Sequence, residues 1–188
     1  MAVDTDYSLA MSNGIASVSP ADTTAPTGMA ALTTPWVDLG AMSTDGLSES
    51  LKQTRQDFKR WGSISIYKSV ITDEAHTFKV TFLESNANVL GLFYRTGTAP
   101  VPDATTHIIS IVDDTTGTRD VRAFVFDMLE GTNHARFFCP RIEVTDVDDP
   151  VYVTDKLTQY GVTLTAYPDD TGVVVARQFL LDAVVNGA

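Results

Sequence analysis

The stretch HTFKVTFLESNANVLGLFYRTG, residues 76–97, decides the fold class. Phe78, Val80 and Phe82 fall on one side of an extended chain, and Thr77, Lys79 and Thr81 fall on the other. Period-two alternation of this kind marks an antiparallel strand with one buried face. The period then changes. Ser85 stands where a helix cap belongs, Val89, Leu92 and Phe93 share one helical face, and Gly97 can end the helix. A strand followed by one short helix is therefore expected.

Outward from that stretch, strand signals recur in SISIYKSVI (63–71), THIISIV (106–112), RDVRAFVFDM (119–128), ARFFCPRIEVTDV (135–147), YGVTLTAYP (160–168) and VVVARQFLL (173–181). Turn chemistry separates several of them at DDTTGT (113–118), EGTN (130–133) and DDTG (169–172). The expected fold is mainly β, an antiparallel sandwich or partly closed barrel with one short flanking helix.

A chain of 188 residues, 44% of them apolar, suits one domain with long extensions. With 24 acidic residues against 13 basic ones the net charge is −11, which disfavours phosphate binding unless the cations cluster. The single cysteine, Cys139, excludes an internal disulfide and sits in an apolar run, so a buried, inert thiol is expected. No apolar run is long enough to span a bilayer, and no Lys or Arg precedes Lys52, so no signal peptide and cytoplasmic folding are expected.

Residues 1–35 are rich in Ala, Ser, Thr, Gly and Pro and lack sustained periodicity. They read as an extended N-terminal arm ahead of a β domain at 36–188. A disordered tail and an arm that orders on a neighbouring subunit weigh equally here, the latter favoured by Tyr7, Leu9, Met11 and Ile15.

Several apparent motifs fail on their chemistry. DEAH at 73–76 would need a glycine-rich phosphate loop, and the nearest candidate has Tyr67 in place of the second glycine. These letters are expected to form a loop between two strands. His76, His107 and His134 lack metal-ligand spacing. The acidic run TDVDDP (145–150) lacks the alternating ligands of a calcium loop. No nucleophile, base and orienting acid fall into a recognisable pattern, so no catalysis and no cofactor are expected.

The unusual feature is WVDLGAMSTDGLSESLKQTRQDFKRWGS, residues 36–63, a long polar ribbon whose segment 43–62 is expected to be a hairpin. Lys52, Arg55, Lys59 and Arg60 place four cations within nine residues of an acidic chain. A nucleic-acid patch would find only Phe58 and Trp61 as stacking helpers, and a solvated hairpin would need no explanation. A basic loop lying on an acidic surface of another copy fits best. Lys52, Arg55, Asp57, Phe58, Lys59, Arg60 and Trp61 are therefore the candidate interface residues.

The order WVDLGAMSTDGLSES, DFKRWGS, then TFKVTFLESNANVLGLFYRTG and YGVTLTAYPDDTG resembles the major tail protein, or tail tube protein, of long non-contractile-tailed bacteriophages, particularly those of actinobacterial hosts. In that likeness Glu84, Asn86, Val89, Leu90 and Tyr94 stand in order, and the resemblance runs from about Trp36 to Leu181. It implies a structural virion protein, assembled in the host cytoplasm, whose hexameric rings stack into a hollow conduit for DNA ejection. It also implies partners: further copies of itself, a tape measure protein, a tail terminator and distal tail proteins, with DNA only in passage and no membrane. Strands lining such a conduit should display Asp, Glu, Ser and Thr, with any inward Lys or Arg paired to acids. A β-sandwich binding module, carbohydrate-binding or adhesin-like, is the alternative.

Overall fold

The computed structural model describes residues 9–112 and 119–181. The 113–118 turn and the anchor Tyr7 lie outside the described residues. Eight strands and one short helix follow in the order β1 (Asn13–Pro20), β2 (Val37–Asp38), β3 (Ser48–Lys59), β4 (Ile66–Phe82), α1 (Ala87–Phe93), β5 (Val121–Glu130), β6 (Asn133–Val147), β7 (Tyr160–Tyr167) and β8 (Ala176–Leu180). All strand pairs are antiparallel, in the order β2-β1-β5-β6-β7-β4-β3, and β8 adds to β6.

β6 turns this single sheet into two facing leaves. Its first part pairs with β5 and β8, and its last part, Arg141 to Val147, pairs with β7. A bulge at Thr145, opposite Leu164 and Thr163, accompanies the change. The leaves close on one core, where Phe78 of β4 stacks on Phe126 of β5 with ring centres 5.3 Å apart. Phe78, Val80 and Phe82 are fully buried with Val162, Leu164, Ile142, Phe124 and the helix residues Val89, Leu92 and Phe93. The alternation in residues 76–84 thus identified the core face.

A second, smaller cluster lies on the back of β5 and β6. Ala123, Val125 and Phe138 are covered there by Leu32, Trp36 and Ala176. Both faces of β5 are therefore occupied, which explains its continuous apolar run. Arg136 ties the covering segment down by donating to Gly28 O at 2.8 Å while forming a two-pronged pair with Asp127 at 2.6 and 2.8 Å.

Four local readings change. Within the N-terminal stretch, residues 13–20 form β1 and pair along their whole length with β5, with Ala16 and Val18 in the core. Small side chains at Ala16, Ser17 and Ser19 had left too little polarity contrast to mark that strand. The helix cap is Asn86, whose side chain accepts from Val89 N–H at 2.9 Å and donates to Leu39 O at 3.0 Å. Ser85 instead hydrogen-bonds the Tyr160 hydroxyl. Residues 73–76 are not a loop; β4 runs straight through them, paired with Leu51 to Thr54. Residues 106–112 form no strand. The Asp103 carboxylate accepts from the Thr105 and Thr106 N–H groups and the Thr106 hydroxyl, and this local bonding competes with sheet pairing.

Candidate functional site

β4 pairs with β7 only from His76 to Phe82, so residues 66–75 pair with β3 alone. The result is a two-stranded arm carried beyond the body of the domain. Nine residues of β3, 51–59, reach about 30 Å at roughly 3.3 Å per residue. All seven candidate interface residues lie on it: Lys52 opposite Ala75, Arg55 opposite Ile71, Asp57 opposite Ser69, Phe58 opposite Lys68, Lys59 opposite Ile66, and Arg60 and Trp61 in the turn. Ser63 N–H donates to Arg60 O at 3.0 Å to close that turn, and Gly62 supplies its positive φ of 77°.

Side-chain bonds run along one face of the arm. Gln53 donates to Glu74 at 2.5 Å, Arg55 donates to Gln53 at 3.1 Å, and His76 meets Glu74 at 3.0 Å. Hydrogen bonds from Gln53 first, then His76, hold the Glu74 carboxyl below its ordinary pKa. Lys52, Lys59, Arg60 and Lys68 form no ion pair among the described residues. The tip carries the two most exposed large apolar groups on the described surface, Trp61 at 97% and Ile64 at 93%, with Tyr67 beside them at 79%. Among the described residues both outer edges of the arm are unpaired, and two bulges interrupt it, at Thr54/Arg55 and Phe58/Lys59.

A second surface is the outer face of β3, β4, β7 and β6. Cross-strand register sets two rows there, Ser48–Lys79–Thr163–Asp146 and Ser50–Thr77–Thr165–Glu143. Every member is polar, and they alternate with the core residues of the same strands. Two cations on or beside this face are neutralised, Lys79 by Asp148 at 2.9 Å and Arg119 by Glu143 at 2.6 Å, while Lys52, next after Ser50 on the same side of β3, has no ion pair among the described residues. Arg119 also stacks over the Tyr167 ring at 5.0 Å, and its hydrogen bond to Glu143 raises its pKa. The Thr145 and Thr165 hydroxyls bond each other at 3.0 Å. The alternate residues of β4 and β7 carried the signal for this face, but the pairing that aligns them was not written in either strand alone.

The structure disperses the residues with chemical potential. His76 lies at the base of the arm, His107 on a loop with φ 57°, and His134 beside Asp127 at 3.0 Å. Among the described residues no group of three His, Cys, Asp or Glu side chains could hold a metal ion. Cys139 is fully buried, and burial pushes its thiol up to about 12, which removes it as a nucleophile at neutral pH. The surfaces on offer suit contact between macromolecules.

The model of the phage tail tube protein family matches residues 1–185 of the chain. No curated protein matches. Among solved structures, the chain is similar to the PVC sheath/tube terminator of an extracellular contractile injection system in its extended state, with 10% identity, 94% of this chain and 99% of that one covered, and a TM-score of 0.46. It is likewise similar to the anti-feeding prophage tube terminating cap, with 12% identity, 96% and 95% coverage and a TM-score of 0.46. A chain in the virion of a native gene transfer agent particle shares 8% identity over 79% of this chain and 92% of that one, at a TM-score of 0.41. The family match spans nearly the whole sequence. The chain belongs to the phage tail tube protein family, and it is a structural protein rather than an enzyme.

Proposed function

We propose that this subunit builds the hollow tail tube of a long, non-contractile-tailed phage of an actinobacterial host. Six copies close each ring, and rings stack into the conduit through which DNA leaves the virion. One observation supports this above all: the β3–β4 arm, which a lone subunit cannot stabilise well and whose apolar tip finds no cover among the described residues. An isolated two-stranded hairpin is marginal in water, so an arm of this length gains its order from a neighbour. Lys52, Arg55, Asp57, Phe58, Lys59, Arg60 and Trp61 are the contact residues on this reading, placed against another copy.

The polar outer face of β3, β4, β7 and β6 supplies the lumen wall. Repeated around rings and along the stack, a surface of Ser, Thr and carboxylate whose Lys79 and Arg119 are paired, with Lys52 at its margin as the exception, offers phosphate little to hold. The free edge of β3 meets a neighbour's sheet edge, so that ring closure removes exposed edges. The tube domain of this reading takes in β1 and the segment around Gly28 and Leu32 that covers its back, as well as residues 36–188. Tape measure, terminator and distal tail proteins complete the tail, which assembles in the host cytoplasm.

A carbohydrate-binding or adhesin-like module would need an aromatic platform. Trp36 is instead packed edge-on against Phe138 at 6.1 Å, which leaves Trp61 as the one exposed tryptophan. Size-exclusion chromatography with negative-stain microscopy tests the proposal. Rings or tubes are the expected product, and a subunit that stays monomeric at high concentration overturns it.

A further inference from the structure

The two ends of the subunit are complementary. The arm's tip lies beyond the N-terminal end of β4. At the C-terminal end of β4 a cleft of about 530 Å³ opens between Ser43–Thr44, Leu83 and the loop that joins β6 to β7, with Asp149, Val151, Lys156, Leu157 and Gln159 on its loop side. Along an unbent strand, the 17 residues of β4 put these ends roughly 55 Å apart. The cleft loop carries Asp148, Asp149 and Asp155 against Lys156, and its Val151 and Leu157 are exposed apolar groups, Leu157 at 70%. The tip carries the opposite charge and apolar groups of its own, with Lys59, Arg60 and Lys68 around the bare Trp61 and Ile64.

This loop is built in place. Asp148 N–H donates to Gly161 O at 2.9 Å, and its carboxylate holds Lys79. The Asp148 side chain fills the space where any Cβ on Gly161 would stand. Farther along, the Tyr152 hydroxyl bonds Tyr94, and this raises its pKa.

We propose that the arm's tip, residues 59–66, seats in this cleft of a second copy of the chain, in the next ring of the stack. The inference rests on the tube-subunit reading above and names the surface that receives the arm. A contact between opposite ends is heterologous, so it propagates without closing, and every ring faces the same way. The cations approach Asp149 and Asp155, while Trp61 covers Val151 and Leu157.

A rival acidic cleft, about 430 Å³ with Asp22, Asp169 and Asp170 on its rim, does not suit the tip. Arg141 already pairs with Asp22 and Asp170 at 2.7 and 2.9 Å, and Asp169 is spent on the N–H groups of Thr171 and Val173. It also lies past the C-terminal end of β7, on the arm's own side of the sheet, since Ala166 pairs with His76.

Two experiments on the full chain decide the matter. In tubes grown from a mixture of Trp61→Cys and Leu157→Cys subunits, mild oxidation should yield a covalent dimer, and tubes of either variant alone should not. A dimer formed with Asp170→Cys subunits instead of Leu157→Cys subunits overturns the assignment of the cleft. Separately, Lys59→Glu with Arg60→Glu should stop growth, and adding Asp149→Lys with Asp155→Lys in the same chain should restore it. Circular dichroism of each unassembled variant checks its fold, and where cysteine variants do not assemble the charge set decides alone. A folded quadruple variant that stays as inert as the double variant refutes the cleft while sparing the arm's role. Normal growth of the double variant refutes both.

Discussion

Replacing Trp61 with Ala tests the arm without touching the fold. The indole has almost no contact within its own subunit, being 97% exposed, so the unassembled variant should keep its stability within about 0.5 kcal/mol. Assembly is different. A buried Trp removes roughly 150–250 Å² from water. At about 25 cal/mol per Å² full burial would be worth about 4–6 kcal/mol. The surfaces facing it are open rather than enclosing, so about half of that, roughly 2–3 kcal/mol per subunit, is the expected loss. At about 1.4 kcal/mol per tenfold, the critical concentration for tube growth should rise roughly 30- to 150-fold. Sedimentation of tubes across a concentration series measures this directly. An unchanged critical concentration, with the subunit still folded, would show that the tip is solvent-exposed in the tube and that the reasoning from its exposure is wrong.

Other outcomes follow from the same structure. Phe82→Ala should cost the subunit about 3–5 kcal/mol in urea unfolding, because Phe82 is fully buried in the main core. Cys139 should resist thiol reagents at pH 8 until the chain unfolds, since burial pushes its thiol up to about 12. The Ala41 N–H first, then Asn86, hold the Glu84 carboxyl below its ordinary value of 4.5. Its folded pKa is depressed, so its contribution is complete above pH 4.5 and is lost as pH falls through the folded value. A Glu84→Gln variant should therefore show a flatter fall in stability below that pH. Tube growth should weaken as salt rises, because the arm's exposed cations act through screened charge.

The sequence revealed what one strand or helix displays alone. Phe78, Val80 and Phe82 announced a core face by alternation, and Val89, Leu92 and Phe93 announced a helix face, because each pattern is local. β1 was hidden, since Ala16, Ser17 and Ser19 differ too little in polarity, and only pairing with β5 makes it a strand. The continuity of β4 through Asp73 to His76 was hidden for the opposite reason. Both its faces meet solvent there, so nothing selects an apolar alternation. The isoleucines of residues 106–112 promised a strand, but the Asp103 turn had already taken the backbone elsewhere. The arm's first strand was legible as a long polar, cation-bearing ribbon, but the hairpin turns only after Lys59, at the end of the 43–62 segment rather than inside it, and its second strand is β4. The polar rows and the cleft were not legible, because Thr163 meets Lys79, and Leu83 meets the 148–159 loop, only through register and folding.

A subunit with a naked Trp61 and Ile64 would be an aggregation hazard if those groups could pair with their own kind. The surrounding charges forbid it. Two tips brought together would juxtapose Lys59, Arg60 and Lys68 with their copies, and like charges face to face oppose association. Two cleft ends would set Asp148, Asp149 and Asp155 against one another. The bulges and charged residues along β3 blunt the arm's free edges against casual strand pairing. The chain as a whole, at −11, repels its copies at long range. Only the approach of tip to opposite end removes both the apolar exposure and the charge imbalance. The same distribution of charge that keeps free subunits apart thus leaves one direction in which they add, so growth should be polar. Tubes seeded with pre-formed fragments and a labelled subunit should elongate unequally at their two ends, and equal rates at both would contradict the head-to-tail contact.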